Sequence, residues 1–151
     1  MQQSYKIGRI TAAQIDRAYL LVNRVAPKLD LDAWRAFCRE ILAQKRQAID
    51  RDDIVIAVNP AGYVQGLCSH AVRNHPFHGR ILDVSIFVVT SAADEAGIAG
   101  SLLDHLKDLA RQDACNTIRI WTLGQNDWSR PLRDRQIDQP DHGVLMIPVA
   151  A

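Results

Sequence analysis

The sequence predicts one α/β domain over residues 1–151, a mixed sheet flanked by helices, and three observations predict it. Short β-branched runs alternate with long amphipathic stretches, so strands and helices are interleaved along the chain rather than segregated. The run from Arg80 to Val89 is apolar on both faces, which suits a central strand and not an edge. At 151 residues and 48% hydrophobic, the chain is long enough for one core and short for two.

Residues 5–10 alternate weakly and read as a first short strand. Thr11 and Gln14 have the spacing of a capping box, and Ile15, Ala18, Val22 and Val25 follow at helical spacing until Pro27 and Asp30 break the pattern. A second helix is expected over 32–48. Its stripe of Trp34, Phe37, Cys38, Ile41 and Leu42 must be buried, while Arg35, Arg39, Lys45 and Arg46 form a solvated side. Residues 54–58 and 63–72 form a hairpin around Asn59-Pro60-Ala61-Gly62, whose proline and glycine supply the turn dihedrals. A loop over 73–79 leads to the central strand, 80–89. A long helix is expected over 91–112, with Ile98, Leu102, Leu106 and Leu109 inward. Strands over 117–123 and 143–149 complete the sheet, and the tract between them is polar and poorly patterned. The helix 91–112 is a crossover, so the strands on either side of it should be parallel.

Composition excludes some functions. A net charge of +1 provides no field for nucleic acid or a membrane surface. No apolar run approaches the roughly 20 residues that span a bilayer. The first residues lack the apolar stretch of a secretory signal, and the chain reads as cytoplasmic. Cys38, Cys68 and Cys115 are odd in number and far apart, which suggests buried thiols rather than a disulfide framework or a zinc site.

The informative stretch runs from Phe87 to Leu103. A buried strand passes into small residues, then Gly97-Ile98-Ala99-Gly100, then an apolar helix. The first turn of a helix leaves amides without partners at the positive end of its dipole, and small side chains let an anion reach them. Small residues there also permit close packing of helix on sheet, and the residues alone leave both readings open.

This stretch resembles the acetyl-CoA motif of the GCN5-related N-acetyltransferases: Arg or Gln, two residues, Gly, one residue, then Gly or Ala, opening a helix after a strand. Gly97, Ile98 and Ala99 match its second half, and Leu102 and Leu103 match the apolar pair that follows. The element order agrees over nearly the whole chain. The resemblance implies an acyl-CoA-dependent N-acyltransferase that moves an acetyl group from acetyl-CoA to an amine by direct attack, without a metal. It implies that amides of Glu95, Ala96, Gly97, Ile98, Ala99 and Gly100 hold the pyrophosphate. Phe87, Val88 and Val89 would pair with the pantetheine arm, and Asn126 would contact it. Many members place a glutamate on the fourth strand where this chain has Asp83, which makes Asp83, or water it orders, the proton acceptor. The usual late tyrosine is missing, leaving Ser129 or water to reprotonate the thiolate. The partners implied are an acyl-CoA and an amine, and a homodimer is a common assembly of the family.

Asp94 departs from the motif, standing where Arg or Gln is usual. As a favoured cap it could bond to the same amides that a phosphate needs. Simple alternation puts Asp83 on one face with Ile81, Ser85 and Phe87, where a carboxylate is costly unless bonded. The other reading of Asp83 is a structural carboxylate bonded to a loop amide or an arginine. His75 and His78 read as a surface loop bordering the acceptor, not as a metal pair. Arg130, Arg133 and Arg135 could meet the 3′-phosphate but alternate with acids, and Trp121 and Trp128 are pocket or core. An active transferase and a binding or regulatory module that lost turnover therefore compete. A plain nucleotide-binding domain is disfavoured because no GxGxxG follows an early strand.

Overall fold

The computed structural model describes residues 5–44, 51–90, 94–121 and 144–149. Strand β1 is Lys6–Arg9, and a single 3₁₀ turn, Ala12–Gln14, leads into helix α1, Ile15–Val25. The capping-box spacing is used, since Gln14 Oε1 accepts from the Thr11 amide at 2.9 Å. Helix α2, Leu31–Leu42, starts where Asp30 caps it, its carboxylate accepting from the Ala33 amide at 2.7 Å. The helix ends at Leu42, short of the expected Ala48, and residues 45–50 lie outside the described set. Trp34 is buried, and its indole donates to the Ile15 carbonyl at 2.8 Å, fastening α2 to the start of α1.

Strands β2, Asp53–Val58, and β3, Val64–His75, meet at the expected turn, where Gly62 takes φ +91° and Asn59 Oδ1 accepts from the Tyr63 amide. Strand β3 is longer than expected because Arg73, Asn74 and His75 continue the ladder against β4, Gly79–Val89. The loop expected over 73–79 is thereby reduced to residues 76–78. Helix α3 is Glu95–Gln112, followed by β5, Thr117–Trp121, and β6, Val144–Pro148. Among the described residues, the six strands lie in sequence order and only β4 and β5 are parallel, as a crossover through α3 requires.

The sheet has a core on each face. Helix α3 covers one, with Ile98, Leu102, Leu103 and Leu106 against Leu82, Val84, Phe87 and Ile118. Helices α1 and α2 cover the other, with Leu21, Trp34 and Ile41 against Ile54, Leu67 and Val88. Cys38, Cys68 and Cys115 are all buried free thiols. Gly66 on β3 is what lets α3 settle so closely: a Cβ there would lie 2.7 Å from Leu102 Cδ1 and 2.8 Å from Ile98 Cγ2, both on fully buried side chains. Gly66→Ala is therefore expected to lower stability by about 1–3 kcal/mol in denaturant unfolding. An unchanged midpoint would mean that the helix moves away at no cost.

The pairing of β3 with β4 shifts register between Ser69 and His70, so Ser85 is an extra residue on β4. Leu82 and Val84 face α3 below this bulge, and so do Phe87 and Val89 above it. Asp83 therefore does not share a face with Phe87, as simple alternation predicts. It lies on the face opposite α3, together with Ile86 and Val88 from beyond the bulge.

Candidate functional site

Two features meet where β4 ends, and a polar row lies lower on the same strand. Strand β5 pairs with β4 from Ile81 to Val84 and is described as far as Trp121, while β4 runs on to Val89, so the end of β4 extends past the last described pair with β5. The side chains of Phe87 and Val89 are committed to the α3 core and that of Val88 to the opposite core. What this strand end can offer a ligand is thus its backbone.

Helix α3 follows that strand end, starting at Glu95. Its first ladder bond runs from the Ile98 amide to the Asp94 carbonyl at 3.0 Å, which leaves the amides of Glu95, Ala96 and Gly97 ahead of the helical ladder. Ile98, Ala99 and Gly100 are buried against the sheet, and their amides belong to the helix. The anion-accessible set is therefore narrower than the motif suggests. Asp94 stands at the cap position, yet its side chain makes no capping bond. Its carboxylate instead accepts from the Tyr5 hydroxyl at 2.7 Å and folds over Gly97, where a Cβ would collide with both of its oxygens. Burial, then the bond to Asp94 and its charge, push the Tyr5 phenol up to about 12. The glycine thus makes room for a carboxylate of the chain itself, at the place the motif leaves for a phosphate.

Asp83 sits in a polar row across the opposite face. Its Oδ1 accepts from Arg119 Nε at 2.8 Å and from Trp121 Nε1 at 2.9 Å, and its Oδ2 accepts from Arg73 Nε at 2.9 Å. Burial pushes this carboxyl up, but the bonds from Arg119, Arg73 and Trp121 outweigh burial, and its pKa lies below the ordinary carboxylate value. Among the two readings of Asp83, the geometry matches the arginine-bonded carboxylate. The Arg119 guanidinium also lies 5.1 Å from the centre of the Trp121 ring. Asp52 extends the row through Arg73, at 3.7 Å. Its pKa is raised, first by burial; Arg73 opposes the shift and the negative charge of Asp83 adds to it.

Next to this row, a cavity of about 300 Å³ is lined by His75, His78, Arg119, Trp121, Val144 and Met146. The two imidazoles lie at a 44° tilt with ring centres 4.7 Å apart, and His75 Nδ1 accepts from the Phe77 and His78 amides. Burial, then the neighbouring His78 and Arg119, push the His75 pKa down. The expected Trp121 is thus part of a cavity wall. Asn126, Trp128, Ser129, Arg130, Arg133 and Arg135 lie outside the described residues.

The sequence reading missed Tyr5, Asp52, Arg73 and Arg119. Arg119 did carry a signal, a cation between Ile118 and Ile120 on a strand whose alternate residues must be buried. Arg73 was hidden by being assigned to a loop. Nothing local links Tyr5 to Asp94, which are 89 positions apart.

No family model matches the chain. No curated protein matches it either. Solved structures do. An aminoglycoside N-acetyltransferase in complex with CoA superposes with a TM-score of 0.71 at 17% identity, over 89% of this chain and 88% of that one. A ribosomal-protein-alanine N-acetyltransferase from Brucella melitensis gives 0.69 at 17%, over 92% and 97%. A transcriptional regulator from Bacillus halodurans gives 0.71 at 17%, over 92% and 95%. Identities this low carry the fold and nothing finer: the chain has the fold of the GCN5-related N-acetyltransferases.

Proposed function

We propose that this protein is an acyl-CoA-dependent N-acyltransferase, most simply an N-acetyltransferase acting on an amine. The observation that carries this reading is that β4 runs on to Val89 past its last described pair with β5, at Val84, and leads to the start of α3. A strand end that extends past its described pairing suits the amides of a pantetheine arm, so an acyl-CoA fits along Phe87 to Val89. It is poorer at the helix start, where the Asp94 carboxylate must swing away from Gly97 before the amides of Glu95 to Gly97 face a diphosphate.

The bound acyl-CoA supplies a thioester carbonyl. The chain holds it and brings the amine within reach, which supplies much of the rate. A C–N bond forms as the C–S bond breaks, the thiolate leaves, and the amine's proton passes to water. Asp83, already saturated by three donors, acts by fixing Arg119 and Trp121 at the wall of the acceptor cavity and by orienting water rather than by taking the proton itself. Ser129 is the proposed proton donor to the thiolate, and Asn126 the proposed contact to the pantetheine arm.

A second reading is favoured by one observation. The carboxylate seated over Gly97 would suit a binding or regulatory module that kept the fold and lost turnover. Acetyl-CoA is expected to raise the melting temperature and to release free thiol in the presence of a panel of primary amines. Binding without thiol release across that panel supports the module, and no binding of any acyl-CoA removes both readings.

A further inference from the structure

The cavity beside the polar row selects among amines. Its described wall is His75, His78, Arg119, Trp121, Val144 and Met146, with no carboxylate among them. Asp83, the acid behind that wall, is 5% exposed, and both of its oxygens are taken by Arg73, Arg119 and Trp121. A ligand entering from solvent therefore meets cation before anion.

Two donors on the wall are held in advance. Among the described residues, Arg119 bonds to Asp83 through Nε alone, and its guanidinium rests over the Trp121 ring. Its two terminal nitrogens are left to serve a ligand, on a side chain that remains 19% exposed. His75 Nδ1 accepts from two backbone amides, so that nitrogen carries no proton and the N–H of the ring sits at Nε2. Trp121, 41% exposed, supplies apolar surface together with Val144 and Met146.

A polycationic acceptor would bring ammonium groups against a guanidinium, where like charges repel. An amine that carries its own carboxylate brings the charge that Arg119 can meet by a charge-assisted bond. The volume, about 300 Å³, is at the small end for a ligand cavity and suits one amino acid rather than an oligosaccharide.

We infer that the acceptor is a free α-amino acid with an apolar side chain. Arg119 and the Nε2–H of His75 hold its carboxylate, and its side chain lies against Trp121, Val144 and Met146. The inference deepens the transferase reading and rests on it for the chemistry. The neutral α-amine attacks the thioester of an acyl-CoA, and a C–N bond forms as the C–S bond breaks. The amine's proton passes to water and the thiolate takes one up, giving an N-acyl amino acid and coenzyme A.

The experiment measures thiol release from acetyl-CoA with L-leucine, L-leucinamide and spermidine. Calorimetry compares N-acetyl-L-leucinate with N-acetyl-L-leucinamide, a pair that reads the carboxylate without turnover. In the wild type, L-leucine is expected to exceed both other amines at least tenfold in kcat/KM, and the N-acetyl acid to bind at least tenfold tighter than its amide. Arg119→Gln is expected to lose both margins. Met146 is the partner of Arg119 in the β5–β6 ladder, so Met146→Glu sets a carboxylate beside the guanidinium and leaves the bonds of Asp83 in place. That variant is expected to lose both margins too, even should Arg119→Gln fail to fold. Equal rates for L-leucine and L-leucinamide, faster release with spermidine, or margins that persist in Met146→Glu overturn the inference and leave the transferase standing. A tenfold margin in binding that Met146→Glu loses, in a protein that releases no thiol with any amine, does the reverse. Equal binding of acid and amide in such a protein removes both.

Discussion

Replacing Asp83 with alanine is expected to lower the unfolding free energy by about 3 kcal/mol, which for a chain of this size is a fall in melting temperature of about 6–12 °C. Asp83 is 5% exposed and holds two guanidiniums and an indole at once. Removing it leaves Arg73 and Arg119 facing each other without the charge between them. Neither arginine is fully enclosed, with side-chain exposures of 30% and 19%, so the loss falls at the lower end of what breaking a buried pair costs. The dependence on pH carries the sign of a depressed carboxylate. Asp83 contributes its full stabilisation above the ordinary carboxylate range, and that contribution disappears as pH falls through its lowered folded value. Chemical unfolding of Asp83→Asn should therefore show a shallower acid limb than the wild type. Parallel acid limbs in the two proteins would show that the pairing contributes nothing to folding.

The second large effect concerns the ligand. Asp94→Arg is expected to tighten coenzyme A by about tenfold to a hundredfold, since a repulsion is replaced by a charge-assisted contact. Asp94→Asn, which keeps the shape and drops the charge, should recover part of that gain. Tyr5→Phe should act in the same direction, because it removes the hydroxyl that holds the carboxylate over Gly97. Isothermal titration of coenzyme A into the three variants decides the matter. Dissociation constants that are unchanged or weaker in Asp94→Arg would place the diphosphate somewhere other than this turn.

The architecture was legible because it depends on patterns within a few residues. The doubly apolar run of β4, the stripe of α2 and the length of α3 each announce which faces are buried, and a crossover helix dictates that β4 and β5 are parallel. The site was legible only in outline. A glycine at Gly97 can be read from sequence, but that its open side is filled by Asp94 depends on a tyrosine from the first strand. The facing of Asp83 was misread for a different reason. Period-two alternation assumes an unbroken ladder, and one extra residue at Ser85 reverses the phase of everything beyond it.

That extra residue bears on how the bulge arose. Without Ser85, Val84 and Ile86 would be consecutive in a regular ladder, and every other side chain of β4 would keep the core it now fills. A regular β3–β4 ladder and a bulged one would then differ by a single codon. A change of this kind is made by insertion rather than by redesign of the interior.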